Sequence, residues 1–176
     1  MGPLTTPRLR GIRPRMTRDP RSYTIAIDPG VNGAYAILDW EGRFIKADEL
    51  PRFDKLVDAV ALGNIFGSYA PERAVIEKVG AMRGQGVTSM FTFGAAYGVA
   101  IGVAGGAGVP IVFVSPAKWK AHFRLVGKPK DASRELAIRL FPKAAPSLTL
   151  KKHHGRADAL LLARYANDMD AGSKHP

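Results

Sequence analysis

The chain has 176 residues, 46% of them hydrophobic and 23% charged, with a formal net charge of +11 and no cysteine. That length supports one domain burying roughly 70% of its unfolded surface and is too short for two ordinary ones. Without cysteine there is neither a disulfide framework nor a thiolate zinc site, so any bound metal must be held by oxygen or imidazole.

Residues 1–22 hold six Arg and four Pro with one acid, Asp19, and their apolar residues show no period. The segment predicts a disordered basic arm, outside the fold and able to lend only non-specific affinity for DNA. It has no continuous apolar core of a secretory signal, and Pro3, Pro7, Pro14 and Pro20 oppose an amphipathic transit helix, so the expected location is cytoplasmic, with an organelle as the alternative. Translation starting at Met16 would explain the arm equally well.

An apolar run, Tyr23 to Asp28, turns through Pro29, Gly30, Val31, Asn32 and Gly33 into a second run, Ala34 to Trp40. Glu41 and Gly42 then turn the chain into a third, Arg43 to Leu50, and the three read as an antiparallel meander. Phe53 to Tyr69 predicts a helix with Leu56, Val57, Val60, Ala61 and Ile65 on one face. The fourth strand, Arg73 to Val79, follows a helix and is mostly apolar before Glu77. It is expected parallel to the first strand, with its end emerging beside Asp28.

From Gly84 to Ala117 there is no charged residue, which raises the question of a membrane span. Eight glycines between Gly84 and Gly108, with Pro110, favour instead a buried helix ending near residue 104 and a strand, Ile111 to Val114. Gly94, Gly98 and Gly102 recur every fourth residue, leaving one face bare for a helix of the same chain or of a second copy. Pro116 to Phe123 predicts a short helix, and Asp131 to Phe141 a longer one capped by Asp131, with Leu136, Ile138 and Leu140 on its apolar side. The last helix runs from about His154 to Met169 and turns Leu161, Leu162 and Tyr165 inward. The fold class is α/β: a mixed five-stranded sheet flanked by helices over residues 23–170, followed by a tail, 171–176.

Charge divides along the chain. Tyr23 to Glu77 carries nine acids against five bases, whereas Lys118 to Arg164 carries twelve bases and three acids, Asp131, Glu135 and Asp158. A basic surface around an acidic pocket suits a polyanion bound by cations and bridged to carboxylates through metal ions.

Asp28 and Glu77 each end an apolar strand, and Asp158 stands four residues after His154 on one helix face. An Asp before Pro-Gly is often only a turn former, and an acid near a helix start is favoured by the dipole. Glu77 is harder to dismiss, because an unpaired buried carboxylate is costly. Together the four would make an oxygen-rich site suited to magnesium or manganese, and two such ions can activate water and stabilise the leaving oxygen of a phosphodiester.

The sequence resembles the RuvC-type Holliday junction resolvases of the RNase H-like superfamily, particularly their phage or prophage-associated and organellar relatives. The matching residues are Ile27-Asp28-Pro29-Gly30 with Gly33-Ala34, Val75-Ile76-Glu77, Phe93-Gly94 through Tyr97-Gly98, Ser115-Pro116 with Lys118-Trp119-Lys120, and His154-Gly155-Arg156-Ala157-Asp158-Ala159-Leu160. The resemblance implies an RNase H-like fold and a homodimeric endonuclease, using two magnesium ions per site, that nicks opposed strands of a four-way DNA junction. Asp28, Glu77 and Asp158 would be catalytic, metal-binding acids. Many relatives have another acid three residues before the last; Gly155 stands there, and His154 resembles the histidine variant of other members. Lys120 would contact phosphate near the scissile bond.

Well-studied relatives also wedge the junction with an aromatic three residues after the second acid, where this chain has Gly80, leaving Met82, Arg83 and Phe91 for that role. Expected DNA contacts are Arg83, Lys118, Lys120, Lys128, Lys130 and Arg134, with Lys151, Lys152 and Arg156 behind them. Rival readings are another RNase H-like nuclease acting on branched DNA or RNA–DNA hybrids, and a junction-binding protein without turnover. Sugar-kinase and actin-like ATPases share the opening motif but need two such domains.

Overall fold

In chain order the strands are β1 (Tyr23–Asp28), β2 (Ala34–Asp39), β3 (Phe44–Glu49), β4 (Arg52–Phe53), β5 (Leu56–Val57), β6 (Arg73–Glu77) and β7 (Ile111–Val114). The helices are α1 (Ala59–Tyr69), α2 (Val87–Gly106), α3 (Pro116–His122), α4 (Asp131–Leu140) and α5 (His154–Gly172), with 3₁₀ segments at Pro142–Leu148 and Lys151–His153. The computed structural model describes residues 22–30, 32–78, 80 and 86–172. The expected arm lies outside them except for Ser22, as does the expected tail beyond Gly172.

β1, β2 and β3 form the expected meander, with Asp28 opposite Ala34 and Tyr23 opposite Asp39. β6 runs parallel to β1 and β7 parallel to β6, so the sheet order is β3-β2-β1-β6-β7. β1, β2 and β6 read as continuous apolar runs because helices cover both faces of the sheet. One face packs Ala26, Leu38 and Val75 against α5 and α4; the other packs Ile25, Ile27, Ile37 and Ile76 against α1 and α2. α5 lies across β1 and β2 and is buried nearly all round at Leu160, Leu161 and Leu162.

Three expectations are corrected. The helix expected from Phe53 starts six residues later, because Asp58 accepts from the Val60 and Ala61 amides at 2.9 Å and fixes the cap there. Upstream, Asp54 takes a left-handed φ of 55° and turns β4 into β5. The buried stripe of α1 is therefore Leu62 and Phe66, while Val60 is 75% exposed. Asp131 does not cap α4; Lys130 holds that position, and Asp131 sits in the first turn, paired with Arg134.

The third correction concerns α2. It buries only Ala96, Ala100 and Ala104, and a Cβ added at Gly94, Gly98 or Gly102 would meet nothing within 4 Å. The bare face therefore has no partner among the described residues of its own chain. α2 is long and apolar enough to cross a membrane. It is, however, the crossover between two adjacent parallel strands, β6 and β7, and lies against α1. That topology holds it on the sheet rather than across a bilayer.

Candidate functional site

Parallel pairing puts Ile27 opposite Ile76, so Asp28 and Glu77 leave the same sheet edge side by side. Asp158 joins them from the second turn of α5 as that helix crosses β1 and β2. Each feels the others. Burial pushes the Asp28 carboxyl up to about 6, with Asp158 adding repulsion and the Gly30 amide opposing. Glu77 is raised to about 7 by burial and then by Asp28, and Asp158 to about 6 by burial and, more weakly, by Glu77. Three crowded carboxyls taken out of water favour protonation unless a cation joins them.

Local contacts hold these acids. Asp28 accepts the Gly30 amide at 2.9 Å, closing the turn on itself. That turn has no room for a side chain at Gly33, where a Cβ would lie 2.7 Å from Leu50 and 2.9 Å from the Gly30 carbonyl. Glu77 accepts the Trp119 indole N–H at 2.7 Å. Ser133 opposes the rise at Asp158, yet Asp158 Oδ1 is buried with no hydrogen-bond partner. Lys120 draws all three carboxyl pKa values downward, which places its ammonium within reach of the whole group.

Among the described residues no three Asp, Glu or His side chains form a ready-made cation cage. The donor set nonetheless fits a hard divalent ion: oxygen ligands, mutual repulsion that a cation would relieve, and a buried carboxylate oxygen lacking any partner. His154 stands at the rim, its Nδ1 3.4 Å from the Lys151 carbonyl. His153 is different. Its Nδ1 accepts the Leu150 amide at 3.2 Å, and burial lowers its pKa, so it stays a neutral structural group.

Gly155, where the sequence resemblance implied a further acid, has no room for a side chain unless the backbone moves. A Cβ there would lie 2.5 Å from the Asn32 carbonyl oxygen, because the first turn of α5 rests directly on the β1–β2 turn. The helix packing that delivers Asp158 thus removes position 155 as a ligand.

Asp158 and His154 open into a cleft of about 330 Å³ that Lys120, Lys128, Lys130 and Ser133 also line. Of the other expected DNA contacts, Lys118 is exposed on α3 outside this lining. Arg134 is committed to Asp131 and to the Leu148 carbonyl, and Arg156 to Asp48, Glu49 and the Ser147 carbonyl. Both arginines staple the fold. Arg83 and Met82 lie outside the described residues, whereas Phe91, 72% exposed near the start of α2, is free to reach a ligand.

Sequence reasoning missed Trp119 and Ser133. Trp119 entered only through its flanking lysines, although a buried tryptophan needs a partner for its N–H and the signal was there to use.

A search of known structures finds T. thermophilus RuvC in complex with Holliday junction substrate, at TM-score 0.61 and 20% identity, covering 86% of this chain and 97% of that one. A second Thermus thermophilus RuvC structure matches at TM-score 0.58 and 18% identity, covering 85% and 96%. The fold is that of RuvC. A chloroplastic Holliday junction resolvase of Chlamydomonas reinhardtii is 46% identical over 67 residues, 38% of this chain and 8% of that relative's length. No family model matches. The likeness read in the sequence motifs is borne out, and so is the RNase H-like α/β sheet expected from it.

Proposed function

We propose that this chain is a metal-dependent endonuclease that resolves four-way DNA junctions by symmetric phosphodiester hydrolysis. The observation that carries the reading is the grouping of Asp28, Glu77 and Asp158, all raised by burial and by one another's charge, with Asp158 opening into a lysine-lined cleft. Their local hydrogen bonds do not offset the burial that raises all three carboxyls, and a cation would relieve it.

Asp28, Glu77 and Asp158 would hold divalent ions, magnesium or manganese and two per site, with His154 contributing from the rim. Bound there, these ions would supply an activated water and neutralise charge on the leaving oxygen. The chain's own residues do the rest. Lys120 sits beside the acids and would bind the phosphate next to the scissile bond, while Lys128 and Lys130 would hold the backbone beyond it. The apolar strands β1 and β6 lead straight into Asp28 and Glu77, so both carboxyls are desolvated.

Symmetric cutting needs two sites, and the bare glycine face of α2 fits the contact between two copies. Phe91, exposed on the same helix, is the described residue best placed to stack on an unpaired base at the branch. The resolvase relative and the junction-bound RuvC support the choice of a four-way junction over other branched DNA.

The test is strand-specific nicking of a synthetic four-way junction, a flap, a linear duplex and an RNA–DNA hybrid, with magnesium and with chelator. The reading expects paired nicks in the junction only when metal is present. Preference for the hybrid would shift it to another RNase H-like nuclease, and junction binding without metal-dependent nicks would reduce the protein to a binding module.

A further inference from the structure

Trp119 is 1% exposed, its ring packed in the core that α5 and α4 build on the sheet. Its position is set twice over. β7 pairs with β6 so that Val114 lies opposite Glu77, and α3 begins two residues later at Pro116, bringing the indole beneath the end of β6. From that fixed anchor Nε1 donates to Glu77 Oε1 at 2.7 Å. The next residue, Lys120, places its ammonium over the same ring, 5.2 Å from the centroid. One rigid side chain thus touches both an acid and a cation of the site.

We propose that Trp119 is a positioning residue that locks the Glu77 carboxylate and the Lys120 ammonium into one arrangement, presenting Glu77 as a ligand for a divalent cation. Resting on the metal-dependent reading above, the inference assigns a role that neither the strand-end acids nor the lysines carry by themselves. Glutamate has three rotatable bonds, and the indole N–H is the hydrogen bond that holds the Glu77 side chain at this strand end. The indole N–H commits one carboxylate oxygen and leaves the other for a cation. A planar donor suits this work because the ring cannot swing without leaving its packed slot.

Manganese binding, followed by electron paramagnetic resonance or calorimetry, tests the link without turnover. Trp119→Phe keeps an aromatic face for Lys120 and removes only the donor, so manganese affinity should fall roughly tenfold, the loss seen when a partner that orients a ligand is removed. In a Glu77→Gln background the same change should add less than about a twofold loss, since the two residues act through one ligand. A purely structural Trp119 would give equal losses in both backgrounds, and unchanged affinity in Trp119→Phe would likewise overturn the proposal. Should that variant fail to fold, the intact protein still decides. On adding magnesium the Trp119 indole N–H resonance should shift while that of Trp40, at the far end of β2, stays; a silent Trp119 overturns the link. A wild type that binds manganese through Glu77 yet leaves junctions uncut defeats the nuclease reading alone. One that cuts junctions while Trp119→Phe binds manganese normally defeats the Trp119 link alone.

Discussion

Burial gives Asp28, Glu77 and Asp158 their character, and it does so against the stability of the metal-free fold. Their carboxyls are raised to about 6, about 7 and about 6, above the usual 3.8 to 4.5. The native state therefore keeps protons that the unfolded chain has released, and this contribution to stability falls as pH rises from about 4 through about 7. Asp28→Asn should remove part of that penalty: at pH 7.5 without metal it should melt higher than wild type, by about 2–4 °C for each kcal/mol relieved. The advantage should shrink toward pH 4, and thermal melts at the two pH values check it. The same variant should lose nicking by about 10²-fold or more, the scale of losing one positioned catalytic group, while junction binding survives. These acids were legible as a set: Asp28 and Asp158 each have an ordinary turn or helix-start explanation, whereas a carboxylate ending the apolar strand at Glu77 is costly without a partner. Trp119 was not, because its value depends on where α3 begins relative to β6, which no local pattern states.

At the scale of elements, two glycine positions carry opposite predictions. Gly155 lets α5 rest on the β1–β2 turn, and a Cβ there would meet the Asn32 carbonyl at 2.5 Å. Gly155→Ala should destabilise the protein by about 1–3 kcal/mol, as overpacking does, and Gly155→Asp should fail to restore a ligand. Chemical denaturation measures the first. Gly98 faces open space, so Gly98→Leu should leave the protomer folded or slightly stabilised, since glycine is a poor helix interior residue. Self-association should nevertheless weaken, as read by analytical ultracentrifugation. The spacing of Gly94, Gly98 and Gly102 announced a bare face, but only the packing of α1 on the opposite alanine stripe shows that no described residue of the chain covers it. The start of α1 was misread for a comparable reason. Leu56 and Val57 fit a helical stripe, and the competing Asp58 cap with a left-handed Asp54 decided otherwise.

Across the whole molecule, acids of the first half, Asp28 and Glu77, meet Lys120 and Asp158 of the second at one end of the sheet, so a chain of net charge +11 gathers carboxylates beside its lysines. Lys120→Ala should reduce nicking and flatten the salt dependence of junction binding by about one unit, the release expected from one phosphate contact. Arg134→Ala should instead lower stability with little change in that slope, because its guanidinium is tied to Asp131 and Leu148. The meander and the parallel pairing of β6 with β1 were legible from strand, helix and turn signals, since a helix between apolar strands favours a parallel crossover. The engagement of Arg134 and Arg156 in staples was not, because a basic residue in a sequence carries no sign of its partner.

Anomalous diffraction from crystals grown with manganese addresses the convergence of the three acids directly. A manganese peak bounded by Asp28, Glu77 and Asp158, lost in Asp28→Asn crystals, is the predicted result. Manganese bound elsewhere with the three carboxylates left unliganded would contradict it.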